Sequence, residues 1–275
     1  MDHSVPQSQP RGIPVLPALF IGHGNPMNTL EVNRYTTAWR ELGAVLPRPR
    51  AILAISAHWF VPVTAVTAMA HPRTIHDFFG FPAELFAFEY PAPGSPEVAA
   101  DVADVVGPTW VGLDADSWGL DHGTWSVLAH LFPEADVPVV QLSVHAGEPL
   151  AYHLDLGRRL APLRARGVLV VASGNVVHNL RLVDFSRPDA GIAWAERFDE
   201  EVRQVMGNAP ASIGDLEQHD DYRLAAPTPD HFLPLAYLAG LADVAGQVTR
   251  TAVTGCTYGS LSMTSFVLEG QATGG

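Results

Sequence analysis

Imidazole is the side chain that this sequence supplies in a number and a pattern suggestive of chemistry. The 275 residues include 12 histidines, one cysteine and no lysine, all 16 cationic side chains being arginine. Four histidines stand where apolar runs end or begin. His23 lies in Gly22-His23-Gly24-Asn25-Pro26 after an apolar run at 16–21, and His58 lies in Ser56-Ala57-His58-Trp59 after a run at 51–56. His178 follows the run at 168–172 through Ser173-Gly174-Asn175, and His231 sits in Pro229-Asp230-His231-Phe232 ahead of a helical run from 233. Glycine and asparagine beside His23 and His178 suit turns in which the backbone leaves a strand abruptly and frees the ring. Alone, each such histidine reads as a surface or core residue satisfied by one hydrogen bond. Together they point to a metal, because imidazole binds zinc and iron and a lone Cys256 offers no thiol pair, leaving His, Asp and Glu as donors.

The remaining histidines carry weaker signals. His122, in Leu120-Asp121-His122-Gly123-Thr124-Trp125, reads either as a helix-entry residue bonded to Asp121 or as an acid or base touching substrate. His71 and His76 border a segment at 71–93 dense in Phe, Tyr and Pro, and are candidates for lining a substrate entrance. Trp59, Phe79, Phe81 and Trp125 are candidate walls around a planar ring, although such residues are more often plain core. His130, His145, His153 and His219 read as structural or surface residues, His3 belongs to a loose N-terminus, and Cys256 reads as a small buried side chain.

The elements that must position these groups follow from the apolar pattern. Short runs at 16–21, 51–56, 137–142, 168–172 and 248–253 read as buried strands. Helices are expected at 95–106, opened by Ser95 with Pro96 behind it, and at 124–131, 149–164, 192–206 and 233–241. Such alternation predicts an α/β domain over 14–270, with a mostly parallel or mixed central sheet and helices on both faces; 1–13 and 271–275 are expected to be loose. In such a sheet ligands collect outside the carboxyl ends of the strands, so three of the four histidines are placed to converge. The 71–93 segment reads as a long ordered loop of the kind that closes over sites.

Composition narrows the function classes. A formal charge of −13 without lysine disfavours nucleic acid as a partner and excludes Schiff-base and P-loop lysine chemistry. No apolar run reaches the ~18 residues of a membrane span, and the N-terminus lacks the layout of a signal peptide, so a cytoplasmic protein is expected. Gly-x-Ser-x-Gly, Gly-x-Gly-x-x-Gly and His-Glu-x-x-His are all missing.

Six motifs in order complete the reading: Gly22-His23-Gly24-Asn25-Pro26, Ser56-Ala57-His58-Trp59, Thr74-Ile75-His76-Asp77-Phe78-Phe79-Gly80-Phe81-Pro82, Asp121-His122-Gly123-Thr124-Trp125, Ser173-Gly174-Asn175 with His178-Asn179-Leu180, and Pro229-Asp230-His231. From about Pro17 to Glu269 they resemble the DOPA 4,5-dioxygenase-like branch of the class III (LigB-type) extradiol ring-cleavage dioxygenases. That resemblance implies a LigB-type α/β fold, one divalent metal at His23, His58 and His231, and a small aromatic diol and O2 as reactants. It implies His178 as the catalytic histidine beside the metal or a fourth ligand, and His122 as a contact to substrate or oxygen. Fe(II) is expected for ring cleavage, and Zn(II) as the metal found in the protein, since three imidazoles suit it. Two other readings use the same cluster: a zinc-dependent hydrolase and a non-catalytic metal-binding protein.

Overall fold

Four of the apolar runs become adjacent parallel strands in a computed structural model that describes residues 14–271. The strands are β1 (Ala18–Gly22), β2 (Ala51–Val61), β3 (Ala65–Thr67), β4 (Gly112–Asp114), β5 (Val139–His145), β6 (Val168–Gly174), β7 (Arg250–Val253), β8 (Cys256–Thr257), β9 (Leu261–Ser262) and β10 (Ser265–Leu268). Eight of them form one sheet in the order β4-β3-β5-β2-β6-β1-β10-β7, and β8 pairs with β9 beside it. β5, β2, β6 and β1 run parallel, while β3 against β5 and β10 against both β1 and β7 are antiparallel, so the sheet is mixed.

The period-two pattern of the central strands splits the core in two. Ala51, Leu53 and Ile55 of β2 face one cluster, and Ile52 and Ala54 face the other; β1 and β6 alternate in the same way. The helices are α1 (Arg34–Val45), α2 (Ala83–Phe86), α3 (Pro96–Val105), α4 (His122–Leu131), α5 (Leu150–Ala165), α6 (Ala193–Asn208), α7 (Tyr222–Ala225) and α8 (Leu233–Ala245). Residues of α3, α5, α6 and α8 pack on the first cluster and those of α1 and α4 on the second, which gives the helix-covered parallel centre its two buried faces. Among the described residues no helix is long and apolar enough to cross a membrane.

Several boundaries differ from the sequence expectation. β2 continues five residues past Ser56, so His58 lies within it, and α4 begins at His122, capped by Asp121, whose carboxylate accepts the Thr124 N–H. α1 was not anticipated; its Thr36, Thr37 and Gly43 are poor helix formers, and it is held by a capping box between Asn33 and Thr36 and by buried Trp39. Gln271, expected to be loose, is paired with Val15 through two backbone hydrogen bonds of 3.0 and 2.9 Å. His3 and the other residues before 14 or after 271 lie outside the described chain. The aromatic segment at 71–93 is mostly irregular and ordered by its own packing, with α2 as its one helical turn.

Candidate active site

The carboxyl ends of β1, β2 and β6 deliver three histidines to one cleft. His23 directly follows β1 and is 1% exposed. Its Nδ1 lies 3.0 Å from Ser173 Oγ, and that hydroxyl donates to the Gly123 carbonyl at 2.5 Å. With its proton spent there, Ser173 must accept from His23 Nδ1–H, and His23 Nε2 is left bare. His58 stands on an irregularity in β2: between Ile55 and Phe60 five steps of β2 are matched by only two of β5, from Leu142 to Val144. Such a bulge re-aims a side chain at the end of pairing. Ser56 Oγ accepts the His58 N–H at 3.2 Å and donates to the buried Asp121 carboxylate at 2.7 Å, fixing the bulged backbone. A Cβ at Gly123 would fall 2.8 Å from His58 Cδ2, so only glycine leaves the ring its place. His178, four residues beyond β6, is half-buried, its backbone N–H bonded to Ala225 O at 2.8 Å.

The opposite side is built from connections. Asp77 arrives on the aromatic segment; its Oδ2 lies 3.0 Å from His58 Nδ1 and its Oδ1 2.9 Å from His122 Nδ1. His231 packs its backbone against Gly174, where a side chain would meet the His231 carbonyl, and that carbonyl accepts the Asn175 N–H at 2.9 Å. Its Nδ1 is bonded to Asp230 Oδ2.

The rings of His23, His58 and His231 form a nearly equilateral triangle, with centroids 5.1, 5.3 and 5.0 Å apart. His122 lies 3.8 Å from His58, and His178 stacks on His231 at 3.4 Å with 6° between planes. By the spacing of donor atoms alone the groups form two facing sets, His23 with His58 and His122, and His178 with Asp230 and His231. The expected trio therefore spans both sets, and His122 sits closer to His23 and His58 than the sequence indicated.

These nitrogens fit a divalent cation. A carboxylate only accepts, so the Nδ1 atoms of His58, His122 and His231 carry the protons and their Nε2 atoms are bare in the neutral rings. His231 Nε2 is buried with no partner, and the Nε2 atoms of His23 and His58 face each other at 3.2 Å. Two bare nitrogens at that distance repel unless a proton or a metal ion lies between them. Anchoring Nδ1 to a carboxylate or hydroxyl while Nε2 points inward is how metal-ligating histidines are oriented.

Electrostatics tell the same story. Burial first, then the neighbouring imidazoles His58, His231, His122 and His178, hold His23 well below its ordinary value; burial and the same kind of crowding depress His231. Burial would lower His58 too, but the hydrogen bond to Asp77 and the charges of Asp121, Asp77 and Asp230 outweigh it and raise the ring. His122 shares Asp77 yet stays lowered, by burial and by His58 beside it: one carboxylate supports one extra positive charge, not two. Burial would raise Asp77, but its bonds to His122 and His58 pull it far below the carboxylate range. Burial brings His178 down to about 4. Held neutral, the rings of His23, His122, His178 and His231 keep a lone pair that a cation can take.

The cleft measures about 470 Å³, a size suited to a small aromatic molecule. Beyond the histidines it is lined by Asn25, Pro26, Asp77, Phe78, Phe81, Leu180, Thr228, Asp230 and Leu261 among others. Of the wall candidates only Phe81 lines it. Phe79 is 90% exposed, Trp59 is buried against Trp118 in a stack 5.7 Å apart, and Trp125 is buried behind Phe78 with its indole N–H on Ile75 O. His76 also stands off, its Nε2 2.9 Å from Phe88 O, and His71 is on the surface. His130 and His153 are buried core residues bonded to Asn28 O and Tyr237 Oη, while His145 and His219 accept backbone N–H groups in turns. Asp77, Phe78 and Asp230 appear in the sequence only as members of motifs, with no role of their own, although each adjoins or nearly adjoins a histidine singled out there.

Comparison with known proteins supplies a family. A family model described as the catalytic LigB subunit of aromatic ring-opening dioxygenase matches residues 22–266. A protein from Escherichia coli (strain K12) named 4,5-DOPA dioxygenase extradiol is 48% identical over 254 residues, 91% of this chain and 93% of its own length. One of the same name from Beta vulgaris is 37% identical over 233 residues, 81% of this chain and 85% of the relative. The crystal structure of an uncharacterized E. coli K12 protein superposes with a TM-score of 0.80 at 43% identity, over 92% of this chain and 99% of that one. The hydrolase and non-catalytic readings have no comparable support. Matched by that family model over residues 22–266, the chain belongs to the LigB family of extradiol aromatic ring-opening dioxygenases.

Proposed function

We propose that this enzyme opens the ring of a catechol, DOPA or a related diol, with O2, breaking a bond beside the two hydroxyls rather than between them. His23, His58 and His231 are the proposed ligands of Fe(II), with His178 as proton acceptor or fourth ligand and His122 at the oxygen-facing side. Zn(II) suits the same imidazoles and is the metal expected in the protein as it is made. A cytoplasmic setting accords with one unpaired cysteine. The observation that carries the reading is three Nδ1-anchored imidazoles at mutual centroid distances of 5.0 to 5.3 Å in a cleft walled by Phe78 and Phe81.

The metal, when bound, supplies Lewis acidity that lowers the pKa of the diol hydroxyls and the redox capacity to engage O2. Phe78 and Phe81, edge to face at 5.3 Å, form the apolar surface against which a ring is held. The His178 ring has no side-chain hydrogen bond among the described residues, so one of its nitrogens is free to take a hydroxyl proton. His122 has Nδ1–H committed to Asp77, so it meets the cleft with Nε2. Once protonated there, with Asp77 beside it, it donates to oxygen as negative charge develops.

The test is oxygen uptake by metal-free protein reconstituted anaerobically with Fe(II), against a panel of catechols including DOPA, with the Zn(II) form as control. Uptake with a coloured ring-opened product in the iron sample alone is the expected result. Folded, verified iron-loaded protein that consumes no oxygen with any catechol would overturn this reading in favour of the zinc hydrolase.

A further inference from the structure

Asp77 uses one carboxylate to serve two rings that come from different elements, His58 from the bulge of β2 and His122 from the first turn of α4. Oδ2 meets His58 Nδ1 at 3.0 Å, and Oδ1 meets both His122 Nδ1 at 2.9 Å and the His122 backbone N–H at 3.0 Å. Its side chain is 17% exposed, at the inner end of the segment that also carries Phe78 and Phe81 into the cleft. Neither Nδ1 has another hydrogen-bonding partner among the described residues.

We infer that Asp77 is a positioning residue which sets the tautomer of His58 and His122 together, so that both present a bare Nε2 to the cleft. The inference rests on the metal-site reading above and goes beyond it, since it assigns the readiness of two imidazoles to a third, loop-borne group. A free imidazole has a choice of tautomer. If His58 carried its proton on Nε2, it would donate to His23 Nε2, 3.2 Å away, and the pair would close on itself with no lone pair left for a cation. A carboxylate removes that choice for both rings, because all its lone pairs accept. An amide cannot do so: its oxygen accepts from one Nδ1–H, while its NH2 must face the other ring and demands a bare Nδ1 there, which moves that ring's proton to Nε2. Asp77→Asn is therefore a change of nearly constant shape that should turn one imidazole of the two the wrong way.

The experiment reads tautomers directly, by long-range proton–nitrogen correlation of histidine side chains in the Zn(II)-loaded protein, with Zn(II) affinity measured in parallel by chelator competition. In the unaltered protein His122 should show Nδ1–H with an unprotonated Nε2, and His58 Nδ1–H with Nε2 on zinc; this arm needs no variant to fold. In Asp77→Asn, checked for an unchanged circular dichroism spectrum, one of the two should appear as the Nε2–H tautomer. If that ring is His58, zinc affinity should fall by about 10- to 100-fold, the usual effect of losing an outer partner of a metal-bound histidine. His122 as an Nε2–H tautomer in the unaltered protein, or both rings still Nδ1–H in Asp77→Asn, would overturn the inference. Neither outcome depends on oxygen uptake, so a failure here is separable from a failure of the dioxygenase reading.

Discussion

His23 and His178 follow the ends of β1 and β6 and His58 stands on the bulge of the neighbouring parallel strand β2, whereas Asp77, Phe78, Phe81 and Asp230 stand on connections outside the sheet. The strand-borne side sits on backbone fixed by ladder pairing from Ala18 to Gly22 and from Val168 to Gly174, with the buried Ser56, Asp121 and Ser173 beneath it. It determines where the ring nitrogens are. The loop-borne side determines which nitrogen is bare at His58, His122 and His231, as Ser173 does at His23, and supplies the flat surface that faces the cleft. The two sides meet at Asp77 and at the backbone of His231 against Gly174, so neither is complete alone.

Deleting a strand-borne ligand should do the most damage. His58→Ala is expected to lose more metal affinity than the ~10- to 100-fold attributed to an outer partner, and to show no ring cleavage; metal content after gel filtration and oxygen uptake check it. Full metal retention in that variant would move the site away from the strand ends. Next comes His178→Ala, expected to keep its metal while turnover falls by roughly 10²- to 10⁴-fold, the range of a lost acid–base group. If the same analysis finds the site empty, His178 is a ligand and the base lies on the other side, at His122.

The loop-borne side should respond in KM. Phe78→Ala removes a ring that packs on Phe81, Phe86, His122 and Trp125. Loss of ~1.4 kcal/mol of ring contact would raise KM for a catechol about tenfold. Phe79→Ala, on a side chain 90% exposed, should change KM by less than about twofold. Equal effects of the two would mean that the segment closes further than it does in this structure and brings Phe79 inward.

The same division explains what was legible in the sequence. Apolar runs ending in Gly-His, Ala-His or Gly-Asn point to the strand-borne histidines as a set, although each alone reads as a residue satisfied by one hydrogen bond. The bulge that carries His58 leaves no such trace, since Ser56-Ala57-His58-Trp59 reads as the strand's exit rather than its continuation. On the loop-borne side, an aspartate in a connection is ordinary, and nothing in the spacing of Asp77 or Asp230 says that it turns inward to an imidazole. Phe78 and Phe79 are indistinguishable by type and neighbour, yet one lines the cleft and the other faces solvent, a difference fixed only by how the segment packs on Trp125. β3 and β4 are three residues each, too short for a periodic signal.

The smallest effect should come from charge at the cleft's rim. Apart from histidine, its charged lining residues are Asp77 and Asp230, and no arginine lines it among the described residues. Asp77 is committed to two rings, whereas Asp230 gives only Oδ2 to His231. A catechol bearing an amine on its side chain should accordingly have a lower KM than one bearing a carboxylate on a chain of equal length. A unit charge near a hydrated carboxylate is worth on the order of 1 kcal/mol, or about fivefold. Since that attraction acts through solvent, the preference should shrink as salt is raised from about 0.01 to 0.15 M, while the effect of Phe78→Ala stays constant. A preference for the acid that also weakens with salt would instead implicate Arg181, exposed beside the rim residue Leu180, as the group that reaches substrate, and Arg181→Gln would then reverse it.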